Sequence, residues 1–239
     1  MVITSLDNKK VKEVVKLQSK KYRDLTNCFV VETEHLVEEA KKIGIVKDLF
    51  VVGDGEDNNI NYVTEDVMKK MSSMESFSKV LAVCSKNTSN EIIGNKILLL
   101  DGIQDPGNLG TIIRSSVAFG VTTIILSKDT VDLYNPKVIR ASEGMFCHIN
   151  IITMDLEEAI DSIKNSGISV YGTNVVDGYD VSTVTDKDSY ALVMGNEGNG
   201  VKANIQELCD KNLYIPMKET CESLNVGVAC SILLYELGR

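Results

Sequence analysis

The hydrophobic positions in the first part of this 239-residue chain follow helical and strand-like patterns in turn. Val11, Val14, Val15 and Leu17 recur near helical spacing among lysines, which predicts an amphipathic helix. Further along, the pattern predicts strands at CFVVE, KDLFVVG and KVLAVCS and helices near HLVEEAKKIG and EDVMKKMSSM. This alternation is typical of a small α/β domain.

The polar segment KNTSNEIIGN follows and has the composition of a linker between domains. Beyond it, the apolar runs ILLLD, TTIILS, SVYGTN, YALVMG and LYIPM are separated by helical segments. Such an order favours a mostly parallel sheet with helices on both faces. We therefore predict a domain at 1–88, a linker at 89–95 and a second α/β domain at 96–239.

Composition restricts the classes of protein to consider. With 44% hydrophobic and 25% charged residues, the chain is predicted to be globular, and its apolar runs are shorter than the roughly 18 residues of a membrane span. The start MVITSLDNKK has no apolar signal core, so we expect a cytoplasmic protein without membrane attachment. The six cysteines form no CxxC pair and predict neither a zinc site nor a disulfide framework. We interpret them as reduced core thiols and expect no metal.

A net charge of −9 argues at first against a nucleic-acid partner, but the charge is unevenly distributed. Residues 1–25 hold seven cations against three carboxylates, a balance of +4, which leaves −13 for the remainder. This basic segment is either an RNA-contacting surface or a solvated helix face. The candidate RNA-binding cations in it are Lys9, Lys10, Lys12, Lys16, Lys20, Lys21 and Arg23.

The stretch DGIQDPGNLGTIIR at 101–114 joins a predicted strand to a predicted helix. Pro106 and Gly107 suit the turn, Asn108 suits the N-cap of the helix, and Gly120 suits its C-terminal end. The expected core face of this helix consists of Leu109, Ile112, Ile113 and Val117.

Arg114 lies on a different face of the same helix, together with Gly107 and Gly110. A long helical side chain folds back over the preceding turn, so Arg114 is expected to cross Gly110 and point at the helix N-terminus. Free N–H groups and the helix dipole favour anions there, and a guanidinium adds to this effect. The pattern predicts a phosphate or oxyanion site, with a structural salt bridge as the alternative.

A second glycine-containing loop, MGNEGNGV at 194–201, also follows an apolar strand. Its glycines allow close approach of a ligand to the backbone, although a tight turn without a ligand explains them about as well. The order G-x-x-G-x-G differs from the dinucleotide fingerprint G-x-G-x-x-G. The loop therefore disfavours a nicotinamide or flavin cofactor.

The C-terminal stretch IPMKETCESLNVGVACSILLYELGR ends in a helix that is apolar nearly all round and is expected to be buried. Ser223 suits its N-cap. Asn225, expected one turn inside the helix, is a poor helix former that offers both a hydrogen-bond donor and an acceptor. A polar residue in that position indicates a functional site.

Taken together and in this order, the three stretches resemble the SpoU/TrmH family of RNA ribose 2′-O-methyltransferases, within the SPOUT superfamily. The likeness rests on DPGNLGTIIRSSVAFG, ALVMGNEGNGV and IPMKETCESLNVGVACSILLYE, with LYNPKVIRASEGMF as the connecting segment, and covers roughly residues 96–239. Residues 1 to about 90 look like the ribosomal-protein-like α/β substrate-binding domain that many members place in front. Thr33 stands where such domains usually have glycine.

The resemblance implies a C-terminal trefoil-knot domain, of α/β class with a mostly parallel sheet, that binds S-adenosylmethionine in the knot. In members of the family, backbone from the second and third motifs holds this cofactor, which corresponds here to Gly195, Ile215 and Leu224. Asn196 and Glu197 are expected to shape the same pocket.

For catalysis, the family pattern implies Asn108, Arg114, Ser223 and Asn225, and all four are present. The arginine either takes the proton of the ribose 2′-hydroxyl or stabilises the developing alkoxide and fixes a neighbouring phosphate. In the connecting segment, Lys137 and Arg140 are candidate RNA contacts, with a solvated face as the alternative.

The sequence therefore predicts an S-adenosylmethionine-dependent RNA ribose methyltransferase, with ribosomal RNA favoured because a front domain often accompanies that substrate in the family. The alternatives are a transfer RNA substrate, a catalytically silent RNA-binding protein of the same fold, and a base-methylating enzyme, which would be expected to lack the SLN signature. A homodimer through the knotted domain is expected. The final helix supplies apolar surface for it through Val226, Ile232, Leu233 and Leu237.

Overall fold

The computed structural model describes residues 2–175, 178–218 and 220–238. In chain order the helices are α1 (Lys9–Lys16), α2 (Lys20–Thr26), α3 (Glu34–Lys42), α4 (Glu65–Met71), α5 (Pro106–Ala118), α6 (Pro136–Ala141), α7 (Leu156–Asn165), α8 (Ala203–Glu207) and α9 (Val226–Leu237). The strands are β1 (Cys28–Glu32), β2 (Val46–Val52), β3 (Ile60–Val63), β4 (Val80–Ser85), β5 (Lys96–Leu100), β6 (Thr123–Leu126), β7 (Asn150–Thr153), β8 (Val170–Thr173), β9 (Tyr179–Asp180), β10 (Tyr190–Met194) and β11 (Lys211–Tyr214).

The chain divides into two compact units. The first contains the described residues up to Asn87 together with Asp132–Cys147, and the second contains Thr88–Val131 and the chain from His148 onward. The whole connecting segment at 133–146, which the sequence groups with the C-terminal motifs, thus belongs to the first unit.

The first unit is built on a four-stranded sheet in the order β1-β4-β2-β3. Strand β4 is antiparallel to β1 and β2, and β3 is parallel to β2. The predicted amphipathic helix is confirmed as α1, whose Val11 and Val14 are buried in the same core cluster as Val67 and Met68 of α4. Helices α1 and α4 therefore share a hydrophobic core with strands β2, β3 and β4.

The prediction that Arg23 is an RNA-contacting cation is wrong, because its side chain is only 4% exposed. Its guanidinium Nη2 lies 2.6 Å from Oδ2 of Asp132, and its Nη1 donates to the carbonyl oxygens of Leu17 and Gln18 at 2.8 and 2.9 Å. A guanidinium with these partners is an internal anchor. It fixes the start of the segment Asp132–Cys147 within the first unit.

The second unit contains a seven-stranded sheet in the order β7-β6-β5-β10-β8-β11-β9, and all its strand pairs are parallel. This confirms the predicted parallel α/β class. Strands β5, β6 and β10 are buried almost throughout, as a sheet covered on both faces requires. Ile160 and Ile163 of α7 pack with Leu99 and Val193 in one core cluster of this unit.

Helix α5 begins at Pro106 with Asp105 as its N-cap, so the prediction that Asn108 caps this helix is wrong. The Asp105 side chain accepts a hydrogen bond from Asn108 N–H at 2.9 Å. Proline favours the first helical position because it lacks the N–H that would be unpaired there. The C-terminal prediction is confirmed, since Gly120 has a φ of +76° just after the helix.

Helix α9 begins at Val226, and its N-cap is Asn225, not Ser223 as predicted. The Asn225 side-chain oxygen accepts hydrogen bonds from Gly227 N–H at 2.9 Å and Val228 N–H at 3.3 Å. Asparagine is among the best N-cap residues for this reason. The helix buries most of its apolar positions, but Val228 and Tyr235 remain about half exposed.

The cysteine prediction holds only in part. Cys28, Cys84 and Cys230 are buried, whereas Cys221 is exposed, so not all six are core thiols. Burial raises the pKa of the Cys84 thiol to about 12, which keeps it protonated at neutral pH. Among the described residues, no helix has both the length and the apolar character needed to cross a membrane.

Candidate active site

The three predicted motifs meet at the carboxyl ends of the central strands of the second unit. Strands β5 and β10 are neighbours, and the chain after β5 turns toward α5 while the chain after β10 enters the loop Gly195–Val201. Strand order changes direction here, because β6 and β7 lie on one side of β5 and β10 and β8 on the other. Such a switch point is the usual ligand site of an open parallel sheet.

A cavity of about 590 Å³ lies beside this loop. Its lining includes the cofactor candidates Gly195, Asn196, Glu197, Ile215 and Leu224, and also the catalytic candidates Ser223 and Asn225. The volume is in the range of pockets that enclose a small-molecule ligand. The structure therefore brings the second and third motifs together around one cavity.

A chain of side-chain hydrogen bonds joins the first motif to the other two. Asn225 Nδ2 donates to Asn108 Oδ1 at 2.9 Å, and Asn108 Nδ2 donates to Glu197 Oε1 at 3.0 Å. A carboxylate only accepts hydrogen bonds, so Glu197 fixes which way the Asn108 amide points, and Asn108 in turn fixes Asn225. The two asparagines predicted as catalytic are thus held in one orientation.

Glu197 also binds the backbone at the start of the first motif. Its carboxylate accepts hydrogen bonds from Gln104 N–H at 3.2 Å and from Asp105 N–H at 3.1 Å. Partial burial by itself would raise the pKa of Glu197, but the hydrogen bonds from Asn108 and from backbone N–H groups lower this pKa below its ordinary value. Glu197 is therefore ionised at neutral pH.

The loop Gly195–Val201 is closed on itself by its own backbone. Asn196 N–H donates to Gly200 C=O at 2.9 Å, and Gly200 N–H donates to Asn196 C=O at 3.0 Å. A Cβ atom on Gly195 would lie 2.0 Å from the carbonyl carbon of Gly200, so only glycine fits. The close approach of Gly200 thus explains why position 195 is glycine without invoking a ligand. The same loop backbone forms part of the cavity wall.

Arg114 is exposed on α5 and forms no ion pair with any described residue. The salt-bridge alternative therefore finds no support. Thr111 and Ser115 flank Arg114 along the helix and contact α9: the Thr111 methyl lies against Gly227, and the Ser115 and Ser231 hydroxyl oxygens are 2.6 Å apart. Helix α5 therefore packs against α9 through the neighbours of Arg114, while Arg114 itself is exposed and can reach an anion.

The cavity suits S-adenosylmethionine in its chemistry. Its described lining contains the carboxylate of Glu197 and no lysine, arginine or histidine, which is favourable for a sulfonium cation. Ile215 and Leu224 lie in the same lining as Glu197. The described residues contain no cluster of three or more metal-binding side chains.

The predicted RNA-binding cations differ in how available they are. Lys9, Lys20 and Lys21 are exposed and form no ion pair with described residues, and the same is true of Lys137. The other candidates have partners within the first unit. Lys10 contacts Asp48, Lys12 contacts Asp7, the Lys16 ammonium lies over the Tyr22 ring, and Arg140 NH1 donates to Ser73 Oγ.

Sequence reasoning missed Asp105, whose side chain caps α5, and Asp101 and Lys202, which form an ion pair near the cavity loop. The Asp-Pro dipeptide at 105–106 was a signal for the cap, since an N-cap aspartate is readily followed by proline at the first helical position. Nothing local in the sequence indicates that Asp101 and Lys202 are in contact.

Comparison with known proteins settles the family. Residues 95–235 match the model of the SpoU rRNA Methylase family. The chain belongs to this family. Residues 8–91 match the MRM3-like substrate binding domain. These matches confirm the predicted family and the predicted enzyme class.

Similar proteins support the same conclusion over nearly the whole chain. The 23S rRNA (guanosine(2553)-2′-O)-methyltransferase RlmP of Bacillus subtilis is 40% identical over 243 residues, which cover 98% of each chain. Among solved structures, an AdoMet-bound rRNA methyltransferase from Sinorhizobium meliloti has a TM-score of 0.89 at 28% identity, covering 99% of this chain and 97% of its own. An RNA 2′-O ribose methyltransferase has a TM-score of 0.83 at 28% identity and covers 99% and 98%.

Proposed function

We propose that this protein transfers the methyl group of S-adenosylmethionine to a ribose 2′-hydroxyl of ribosomal RNA. The observation that carries the proposal is the hydrogen-bonded chain Glu197–Asn108–Asn225, which unites three motifs beside one cavity. The RlmP relative, named for a guanosine in 23S rRNA, supports a guanosine of the large-subunit RNA as the target. A transfer RNA remains the alternative substrate.

In the proposed binding mode, Gly195, Ile215 and Leu224 hold the cofactor through backbone groups, and Glu197 faces its positive charge. S-adenosylmethionine, when bound, supplies a methyl group activated by a sulfonium. The backbone groups orient this ligand without placing a basic side chain beside the sulfonium.

On the substrate side, Arg114 binds the phosphate next to the target ribose and stabilises the negative charge that develops on O2′. A guanidinium is a very weak acid that gives up its proton only reluctantly, so we favour this electrostatic role over proton abstraction by Arg114. Asn108 and Asn225 hold the loops that border the reacting groups, because orientation supplies much of the rate in such a transfer, and Ser223 lines the cavity beside them.

We also propose that, as predicted, residues 1–88 bind RNA, 89–95 link the domains and 96–239 carry the methyltransferase, with Asp132–Cys147 packed in the first unit. The MRM3-like match at 8–91 and the SpoU match at 95–235 support it. A trefoil knot in the C-terminal domain, a homodimer through that domain and a cytoplasmic location complete the proposal. The ribosomal substrate named for the RlmP relative supports the location.

Substitution of Arg114 tests the catalytic assignment. Arg114→Ala is expected to fold and to bind S-adenosylmethionine with unchanged affinity, because Arg114 is exposed and lies outside the cavity lining. Its single-turnover methylation rate is expected to fall by roughly 10²- to 10⁴-fold, the range for loss of an oxyanion donor or a general base. Arg114→Lys retains the charge but loses the planar fork, so it is expected to recover only part of this rate.

The matched control is Lys164→Met, which removes a cation of the same unit on α7. The assay uses large-subunit ribosomal RNA from cells that lack the gene, with calorimetry for cofactor binding and thermal unfolding for stability. A stable Arg114→Ala protein that keeps more than about a tenth of the rate would refute the assignment, since that loss corresponds to less than about 1.4 kcal/mol.

A further inference from the structure

Both ends of the cavity loop Gly195–Val201 are attached to the same two residues after β5. Asp101 N–H donates to Met194 C=O at 2.9 Å, just before the loop, and Asn196 Nδ2 donates to Gly102 C=O at 2.7 Å. On the far side of the loop, Lys202 N–H donates to Asp101 Oδ2 at 2.8 Å. The two residues at 101–102 therefore fix where the loop begins and ends.

Asp101 is unusual among these residues because it is a carboxylate with only 1% of its side chain exposed. Its second oxygen, Oδ1, lies 3.0 Å from Lys202 Nζ in an ion pair, so Lys202 contacts Oδ2 through its backbone N–H and Oδ1 through its ammonium. A buried carboxylate needs such a partner, since an unpaired charge in the interior is strongly unfavourable. Lys202 is thereby restricted in both its main chain and its side chain.

A second carboxylate holds the other side of the Lys202 ammonium. Asp129 Oδ2 lies 2.7 Å from Lys202 Nζ, and Asp129 Oδ1 accepts a hydrogen bond from Ser127 Oγ at 2.5 Å. Asp129 and Asp101 raise the pKa of Lys202 above its ordinary value, so the ammonium stays charged. We call the group Asp101, Asp129 and Lys202 the lysine clasp.

The clasp is connected to the cavity through the short path from Lys202 to Gly200. Val201 and Gly200 directly precede Lys202, and Gly200 is hydrogen-bonded to Asn196 in both directions. The Gly200 carbonyl carbon also lies in the space that a Cβ on Gly195 would occupy. Movement of Lys202 would therefore shift the backbone that faces the cofactor cavity.

We propose that Lys202 and Asp101 are positioning residues that hold the loop Gly195–Val201 in the conformation that binds S-adenosylmethionine. They act through the loop backbone, since neither residue lines the cavity. The inference rests on the proposed function for the identity of the ligand, but the ordering of the loop by the clasp does not depend on it. Without the clasp, the competent loop conformation is populated less, and the apparent affinity falls by the same fraction.

The test compares Lys202→Met with Lys202→Arg and with the matched control Lys164→Met in the full chain. Lys164 also forms an ion pair, 2.8 Å from Asp210, at a comparable exposure of 39% against 52% for Lys202. If the competent population falls to about a tenth, the dissociation constant for S-adenosylmethionine measured by calorimetry rises about tenfold in Lys202→Met. Lys202→Arg restores most of the affinity, and Lys164→Met leaves it unchanged.

Hydrogen exchange of the amide of Gly200 gives a second measurement that needs no ligand. It is expected to accelerate in Lys202→Met and not in Lys164→Met, because Gly200 N–H is bonded within the loop. Should Lys202→Met fail to fold, Asp129→Asn replaces it, since Asp129 is half exposed and its loss weakens the clasp. A folded variant with wild-type affinity and wild-type exchange would overturn the inference.

The two proposals fail differently. If the wild-type protein does not bind S-adenosylmethionine, the proposed cofactor is wrong, and the exchange rates alone decide whether the clasp orders the loop. If the wild type binds and Lys164→Met loses as much affinity as Lys202→Met, a general loss of stability explains the effect and the positioning role is refuted.

Discussion

Thr33 shows how one residue can carry a conformation that its side chain disfavours. Its backbone has φ +85° and ψ +147°. This region is essentially restricted to glycine, because the Cβ of other residues collides with the backbone there. The Thr33 side chain compensates in part, since it caps α3 by accepting a hydrogen bond from Leu36 N–H.

Substitutions at Thr33 separate these two effects. Thr33→Gly is expected to stabilise the protein by about 1 kcal/mol, since relief of strain worth roughly 1–3 kcal/mol outweighs the added chain entropy and a cap loss of a few tenths. Thr33→Ala keeps the strain and loses the cap, so it is expected to be destabilised by about 1 kcal/mol. Urea denaturation should rank the stabilities as glycine, threonine, alanine. A less stable Thr33→Gly protein would show that the strain is small.

At the scale of elements, α1 and α2 carry the basic charge of the N-terminal segment, but not all of that charge is available. The ammonium of Lys10 lies near Asp48 and that of Lys12 near Asp7, whereas Lys20 and Lys21 at the start of α2 form no ion pair with described residues. Exposed ion pairs are weak, yet they lower the local positive potential that attracts phosphate. We therefore expect α2 to contribute more to RNA binding than α1.

Paired substitutions test this difference between the helices. Lys20→Gln with Lys21→Gln is expected to weaken RNA binding and to reduce the slope of log K against log salt by about 1.5, the effect of two lost phosphate contacts. Lys10→Gln with Lys12→Gln is the control of equal charge change and should have a smaller effect. Binding would be measured by filter retention at several salt concentrations. Equal effects of the two pairs, or none, would contradict the assignment to α2.

At the scale of the whole molecule, burial changes which residues can form a homodimer interface. Of the residues predicted to supply apolar surface, Val226, Leu233 and Leu237 are buried within one chain, so that part of the prediction is wrong. The exposed apolar residues of α9 are Val228 and Tyr235, which lie seven positions apart and therefore on one face. The Tyr235 ring also packs edge-on against Phe119, 5.7 Å between centroids.

The proposed homodimer is therefore expected to depend on this face of α9. Val228→Glu should convert a sedimenting dimer into a species with the mass of a single chain at micromolar concentration, because a buried unpaired carboxylate is strongly unfavourable. Leu25→Glu is the matched control, since Leu25 is 74% exposed on the first unit and lies outside α9. A wild-type protein that sediments as a monomer, or a Val228→Glu variant that stays dimeric, would contradict this interface.

Much of the fold and part of the site followed from the sequence alone. The spacing of hydrophobic residues and the positions of turn-forming residues predicted strands β1, β2, β4, β5, β6, β8 and β10. The residues of the three motifs were sufficient to indicate the family. The elements β3, β7, β9, α2 and α6 were not predicted, and the two residues of β9 are too few to define any period. The sequence pattern also placed the N-caps of α5 and α9 at the wrong residues, because several polar residues near each helix start are suited to capping.

Only the tertiary structure shows which residues that are far apart in the sequence lie in contact. In the sequence, Arg23 is one of seven cations in a basic segment, but in the structure it is buried against Asp132. Lys202 has no special feature in the sequence, but in the structure it is paired with the buried Asp101. Chain topology determines which residues meet, and neither periodicity nor composition contains that information. The sequence thus determined which functional groups the motifs contain. The arrangement of the parallel strands determined which other residues position those groups.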